Sequence, residues 1–106
     1  MRKEYHKLVR DRLPEIIKKN GINCEFITMK EPEYYQALRQ KLLEESQEAA
    51  AASPEDLVTE LADIYEVIDT IMEIYGISHQ RVISAQRQRR QERGGFQNKI
   101  KLLWTE

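Results

Sequence analysis

Four carboxylates lie on or beside the helix faces that the sequence predicts to be buried. They form two pairs with a spacing of three residues, Glu45 with Glu48 and Glu60 with Asp63. Residues three apart on a helix are neighbours on one face. Burying an unpaired carboxylate costs roughly several kcal/mol, and four together repel one another. Cations must therefore neutralise the group, either as Lys or Arg side chains or as a hard metal ion, Mg²⁺ or alternatively Mn²⁺.

The first pair lies on a helix predicted from Glu33 to Ala52. The apolar residues of this helix recur at helical spacing, at Tyr35, Leu38, Leu42, Ala49 and Ala52. These residues are spaced three, four, seven and three apart. The step of seven skips one position of the seam that should be apolar, and that position holds Glu45. At about 100° per residue, Glu45 falls inside the apolar stripe, Glu48 at its edge and Glu44 beyond the edge.

The second pair lies on the next predicted helix. Ser53 is a suitable N-cap followed by Pro54 at the first helical position, and Gly76 ends the helix after Tyr75. On the helical projection Glu60 falls within the apolar arc and Asp63 at its margin. Because the connection between the two helices is short, we expect them to be antiparallel neighbours.

The other elements complete an all-α, four-helix-bundle-like fold in a single domain, 1–106. A short helix is predicted from Leu13 towards Gly21, and a third substantial helix from a cap at Ser78 to Arg93. The tail from Phe96 to Trp104 is predicted to be extended and to pack its apolar residues.

Composition favours a soluble, globular protein. The chain has 106 residues, of which 41% are hydrophobic and 33% charged, and its one cysteine cannot form an internal disulfide. No apolar run approaches the roughly 20 residues needed to span a bilayer, and the N-terminus does not resemble a secretory signal. We therefore expect a cytoplasmic protein with no membrane partner, and a homo-oligomer.

The net charge of −1 conceals a segregation of charge along the chain. Residues 1–24 carry a net charge of +4, residues 25–75 a net charge of −10, and residues 76–106 a net charge of +5. The basic ends can neutralise the acidic middle or can bind phosphate, and the charge pattern alone leaves both possibilities open.

Three segments resemble the all-α nucleoside triphosphate pyrophosphohydrolases, the superfamily of MazG-like proteins and phosphoribosyl-ATP pyrophosphohydrolases. The run 41–48, KLLEESQE, followed by ELAD at 60–63, is similar to the EExxE…ExxD pattern of that superfamily. The opening YHKLVRDRLPEII at 5–17 and the RGGF at 93–96 look like the N-terminal and C-terminal segments of a branch of small, phosphoribosyl-ATP-pyrophosphohydrolase-like or house-cleaning proteins. The resemblance covers most of the chain.

The resemblance implies a Mg²⁺-dependent cleavage between the α and β phosphates of a nucleoside triphosphate, in a homodimer or homotetramer. It implies that the metal ligands are Glu45, Glu48, Glu60 and Asp63. Glu44 becomes an additional catalytic carboxylate, beside Glu45 and Glu48, that orients or deprotonates the attacking water. The candidates for binding substrate phosphates are Lys7, Arg10, Arg12, Arg90, Arg93 and Lys99.

Alternatives remain open at this point. The substrate could be phosphoribosyl-ATP rather than a nucleotide removed by house-cleaning, or the chain could be a non-catalytic helical module for oligomerisation or interaction. Nucleic-acid binding is disfavoured, because the chain is not strongly basic and the arginines of the third helix do not share a face. These arginines are Arg81, Arg87, Arg89, Arg90 and Arg93.

Overall fold

A computed structural model describes residues 2–106, and the regular secondary structure within them is helical. The helices are α1 (Leu13–Lys19), α2 (Glu33–Ala51), α3 (Leu57–Tyr75) and α4 (His79–Arg93), with one 3₁₀ turn, Pro54–Asp56, before α3. The predicted all-α fold class is confirmed. None of the helices in the described part is long and apolar enough to cross a membrane.

The chain divides into two compact units, Met1–Tyr75 and Gly76–Glu106. The first contains α1, α2 and α3, and the second contains α4 and the C-terminal tail. The predicted acidic pairs therefore lie in the first unit.

Helices α2 and α3 pack together in antiparallel orientation. Near the start of α2, the Tyr35 ring packs on Tyr75 at the end of α3 with ring centroids 5.1 Å apart. The Tyr35 hydroxyl also donates a hydrogen bond of 3.5 Å to the carbonyl oxygen of Ile74. At the other end of the pair, Glu45 lies close to Glu60 at the start of α3. The packing thus brings the two acidic pairs together at one end, as the short connection predicts.

The connection is tight because of Pro54. A proline disfavours helical conformation in the residue before it, and Ser53 accordingly has an extended backbone with ψ 159°. The sequence predicts that the Ser53 hydroxyl caps the backbone of the helix. Instead, the hydroxyl donates a hydrogen bond of 3.2 Å to the Asp56 carboxylate. Residues Pro54–Asp56 form a 3₁₀ turn, so α3 begins at Leu57 rather than at Pro54.

The core of the first unit is small and includes a carboxylate. Leu38 on α2 is 3% exposed, and Val67 and Met72 on α3 are also buried. Glu45 is 7% exposed and is as buried as those two α3 residues. The apolar seam predicted for α2 therefore forms, with Glu45 inside it.

In the second unit, α4 begins as predicted, with the Ser78 hydroxyl accepting a hydrogen bond of 3.2 Å from the backbone N–H of Arg81. The prediction that the tail packs its apolar residues is wrong for the described chain, since Phe96 is 96% exposed and Trp104 is also exposed. The physical reason lies in α4, whose 15 residues include only two large apolar ones, Val82 and Ile83. Such a helix offers no apolar stripe to a tail.

We expect Leu38→Ala to lower the free energy of unfolding by about 3 kcal/mol, because it leaves a cavity in a small core. Leu43→Ala is the matched control: it makes the same change on the same helix at a position that is half exposed. There we expect a change within about 0.5 kcal/mol. Urea unfolding followed by circular dichroism measures both, and equal losses would contradict this description of the core.

Candidate metal centre

Three carboxylates from two helices converge at the acidic end of the helix pair. Glu45 on α2 and Glu60 and Asp63 on α3 each offer one oxygen, and these three oxygens lie within 4.8 Å of one another. We call these three residues the carboxylate triad. Its members are three of the four ligands that the sequence predicts.

Two oxygens of the triad are buried and lack a hydrogen-bond partner. They are Oε2 of Glu45 and Oε2 of Glu60. Glu45 is more than nine-tenths buried, so water cannot readily solvate its charge. A buried oxygen of this kind costs free energy unless a donor or a cation meets it. The triad is therefore electrostatically unsatisfied by the protein itself.

The surroundings of the triad disfavour its ionised form. Burial raises the pKa of Glu45 above its ordinary value, and the nearby negative charge of Glu48 raises it further. Desolvation also raises the pKa of Glu60, as do the charges of Glu48 and Asp63. A bound cation would reverse both effects, because it stabilises the ionised carboxylates.

Glu48 lies beside the triad rather than in it. Its side chain is exposed, yet its charge acts on both Glu45 and Glu60. The predicted position of Glu48 at the edge of the apolar stripe accounts for this exposure. Glu48 therefore adds a negative charge next to the triad without being one of its members.

Three cationic side chains surround the acidic end. Lys41 lies one helical turn before Glu45, with its Nζ 3.6 Å from Glu45 Oε1 and 3.5 Å from Glu44 Oε1. Lys7 donates to Glu44 Oε1 at 2.8 Å, and Arg10 donates through Nη2 to Asp63 Oδ1 at 2.6 Å. Lys and Arg side chains thus supply part of the neutralisation that the sequence requires.

The cations do not balance the carboxylates. When all are ionised, Lys7, Arg10 and Lys41 face six carboxylates: Glu44, Glu45, Glu48, Asp56, Glu60 and Asp63. Three negative charges remain, and a divalent cation would neutralise most of this excess. Carboxylate oxygens without Cys or His are the donor set of a hard cation, so the residues present fit Mg²⁺ or Mn²⁺.

Glu44 differs from the triad in its electrostatics. Its hydrogen bond with Lys7 lowers the pKa of its carboxyl group, and the same bond raises the pKa of Lys7. Glu44 is therefore ionised at neutral pH and tied to the N-terminal segment. Its predicted place beyond the edge of the apolar stripe agrees with its partial exposure.

A shallow groove of about 280 Å³ lies next to Glu44. The N-terminal segment supplies one wall through Lys7 and Leu8, and α2 supplies another through Gln40 and Lys41. The groove is open to solvent and follows α2 from Glu33 to Glu44, so it reaches the acidic end at Lys41 and Glu44 but is not lined by the triad.

The other predicted phosphate-binding residues make contacts of their own. Arg12 pairs with Glu15 on α1 at 3.1 Å, and both side chains are exposed. Arg90, Arg93 and Lys99 belong to the second unit. Arg93 and Lys99 line a cavity of about 350 Å³ around the turn that follows α4.

The sequence analysis does not assign Lys41 to the site. The available signal is its spacing, three residues before Glu44 and four before Glu45, because residues at these separations are neighbours on a helix. The partners of Lys7 and Arg10 have no comparable signal, since they lie 37 and 53 residues away along the chain.

Comparison with known proteins found no match to this chain among protein-family models, curated proteins or solved structures. The resemblance to the pyrophosphohydrolases therefore depends on the three sequence motifs alone.

We expect Glu45→Gln to stabilise the protein in the presence of EDTA. The amide keeps the shape of the side chain and removes a buried charge that faces other carboxylates. The midpoint of thermal unfolding should rise by about 4 °C, the shift that about 1 kcal/mol produces in a domain of this size. Differential scanning calorimetry at pH 7 measures the shift.

Glu73→Gln is the matched control, because Glu73 is exposed on α3 and lies outside the acidic end. Its midpoint should stay within about 1 °C of the wild-type value, as expected for a surface substitution. A lower midpoint for Glu45→Gln would show that Lys41 already satisfies Glu45, and would contradict the description of the triad as unsatisfied.

Proposed function

We propose that this protein is a Mg²⁺-dependent nucleoside triphosphate pyrophosphohydrolase that releases a nucleoside monophosphate and pyrophosphate. The observation that carries the proposal is the buried Glu45 carboxylate, whose unpartnered oxygen lies in a triad with Glu60 and Asp63. The sequence motifs supply the reaction class. A house-cleaning role, in which non-standard nucleotides are removed in the cytoplasm, is part of the proposal.

The carboxylate triad would hold the metal, and Glu48 beside it would complete the set of ligands predicted from the motif. When bound, Mg²⁺ neutralises phosphate oxygens and lowers the pKa of a coordinated water. The triad itself keeps two ligands on α3 and one on α2 at fixed separation, because the antiparallel packing of the helices holds them. Such rigidity favours precise positioning of the phosphates.

Glu44 would act on the attacking water by accepting a hydrogen bond. Its lowered pKa keeps it ionised at neutral pH, which suits an acceptor and makes it a weak base. Its attachment to Lys7 and Lys41 holds the carboxylate in one place. In this proposal Glu44 orients the attacking water and would accept its proton.

The N-terminal segment supports a phosphorylated substrate. Lys7 and Arg10 bring two positive charges to the acidic end, next to an open groove. A triphosphate carries roughly four negative charges at neutral pH and needs cations beyond the metal. Arg90, Arg93 and Lys99 remain candidates on the strength of the sequence motifs, whereas Arg12, which pairs with Glu15 on α1, is left out of the proposed site.

A homodimer or homotetramer is part of the proposal and is supported by an apolar stripe on α3. Val58, Leu61 and Tyr65 lie within about 60° of one another on the helical projection. All three are exposed, Val58 at 78% and Tyr65 at 70%. A stripe of this kind on a helix is typical of an interface with another subunit.

The central test is the release of pyrophosphate from a panel of standard and modified nucleoside triphosphates and phosphoribosyl-ATP, with and without Mg²⁺. We expect a monophosphate and pyrophosphate only with Mg²⁺. Glu45→Gln should lower the rate by about 100-fold or more, as is typical when a charged contact in the transition state is lost. Glu73→Gln should retain the wild-type rate.

The products decide between reaction classes. Release of phosphate with a nucleoside diphosphate would contradict the assigned bond cleavage. No turnover of any substrate, together with no calorimetric signal for Mg²⁺ or Mn²⁺, would contradict the enzyme and favour a helical interaction module. Turnover of phosphoribosyl-ATP in preference to the nucleoside triphosphates would identify a phosphoribosyl-ATP pyrophosphohydrolase rather than a house-cleaning enzyme.

For the assembly, we expect wild-type protein to have two or four times the mass of one chain by light scattering. Tyr65→Lys should give single chains, because it places a charge in the apolar stripe. Thr59→Lys is the control, since Thr59 is exposed on α3 about 120° away from Tyr65 on the helical projection. Monomeric wild-type protein, or assembly that both variants retain, would contradict the proposed role of the stripe.

A further inference from the structure

We infer that Arg10 changes partner when the site is loaded: it leaves Asp63 to a divalent cation and then binds a phosphate of the substrate. The inference rests on the proposed function, because it assumes that the carboxylate triad binds a metal. It states that the cation binds before Arg10 contacts the substrate, and it selects Arg10 from the six candidate phosphate-binding residues.

The first observation is that Arg10 and the triad share a ligand. Arg10 Nη2 donates to Asp63 Oδ1 at 2.6 Å, and Asp63 is a member of the triad. A guanidinium and a divalent cation compete for one carboxylate, because each neutralises it and the two positive charges repel each other. Binding of the cation to Glu45, Glu60 and Asp63 therefore weakens the hold of Asp63 on Arg10.

The second observation is that Arg10 can leave at low cost. Its side chain is largely exposed, and Arg10 lies in a segment that has no regular secondary structure before α1. Exposed ion pairs contribute little to stability, roughly 1 kcal/mol or less. The guanidinium can therefore turn away from Asp63 without unfolding the helix pair.

The third observation is that Lys7 keeps the segment in place. Lys7 is bound to Glu44, which lies outside the triad, so the cation does not compete for its partner. Arg10 is three positions along the chain from Lys7, which limits the distance between their backbones to about 10 Å. Once released, Arg10 thus remains beside the triad.

The chemistry of the released side chain points to a phosphate ligand. A guanidinium presents paired N–H donors that match two oxygens of a phosphate, and it stays charged at all relevant pH values. The di- or triphosphate group of a substrate at the triad is the nearest anion of that kind. Cation binding thus converts Arg10 from a counter-ion of the protein into a ligand for the substrate.

The test compares Arg10→Gln with Arg12→Gln by isothermal titration calorimetry. Arg12 is the matched control because it carries the same charge two residues along the chain but pairs with Glu15 on α1. One titration uses MgCl₂ alone, and a second adds inorganic pyrophosphate to Mg²⁺-saturated protein. Pyrophosphate is the proposed product, and the proposed reaction does not cleave it.

Arg10→Gln should bind Mg²⁺ about three- to fivefold more tightly than the wild type, because the competitor for Asp63 is gone. It should bind pyrophosphate about tenfold more weakly, because a charge-assisted contact is lost. Arg10→Lys should restore wild-type Mg²⁺ affinity, since it keeps the competing charge, and should restore pyrophosphate binding only in part. Arg12→Gln should match the wild type in both titrations.

Opposite shifts in the two affinities distinguish partner exchange from a structural role. If Arg10 only maintains the fold, Arg10→Gln lowers the thermal midpoint in EDTA and weakens both ligands, which overturns the inference. If Arg10→Gln and Arg12→Gln bind Mg²⁺ equally, the inference fails while the proposed function stands. If the wild type binds no Mg²⁺, the proposed function fails as well.

Discussion

The burial of the Glu45 carboxylate in the seam between α2 and α3 constrains the rest of the first unit. Apolar packing along the seam requires this position to be buried, while the charge requires a partner that the seam cannot supply. Lys41 meets one oxygen from the same helix, and the other remains unpartnered. The tight turn at Pro54 brings the two acidic pairs together, and the basic N-terminal segment supplies Lys7 and Arg10 as counter-charges. The proposed divalent cation would resolve the conflict by meeting the unpartnered oxygen of Glu45.

The two ends of the helix pair have different roles. At one end, Tyr35 and Tyr75 pack their rings and Arg39 lies over the Tyr75 ring at 5.4 Å, which are contacts that stabilise the pair. At the other end, carboxylates repel one another, and the pKa values of Glu45 and Glu60 are raised. The contacts at the aromatic end stabilise the helix pair and offset the electrostatic repulsion among the carboxylates at the acidic end.

Much of this arrangement follows from local signals in the sequence. The end of α3 at Gly76, the start of α4 at Ser78 and the place of Glu45 in the apolar seam depend on residues a few positions apart, so periodicity and capping rules predict them. The pairing of Lys7 with Glu44 and of Arg10 with Asp63 depends on how the N-terminal segment crosses the helix pair, which no local pattern encodes. Composition alone fails for the tail. Its apolar residues predict packing, but α4 has no apolar stripe against which they could pack.

A crystal grown with MnCl₂ tests whether the carboxylate triad binds a divalent cation. Diffraction data collected at the manganese absorption edge locate the ion by its anomalous scattering. If the triad binds the ion, a strong anomalous peak is expected within coordination distance of oxygens from Glu45, Glu60 and Asp63. An ordered triad without such a peak, with its carboxylates bridged by Lys41, Arg10 or water alone, would contradict cation binding by the triad.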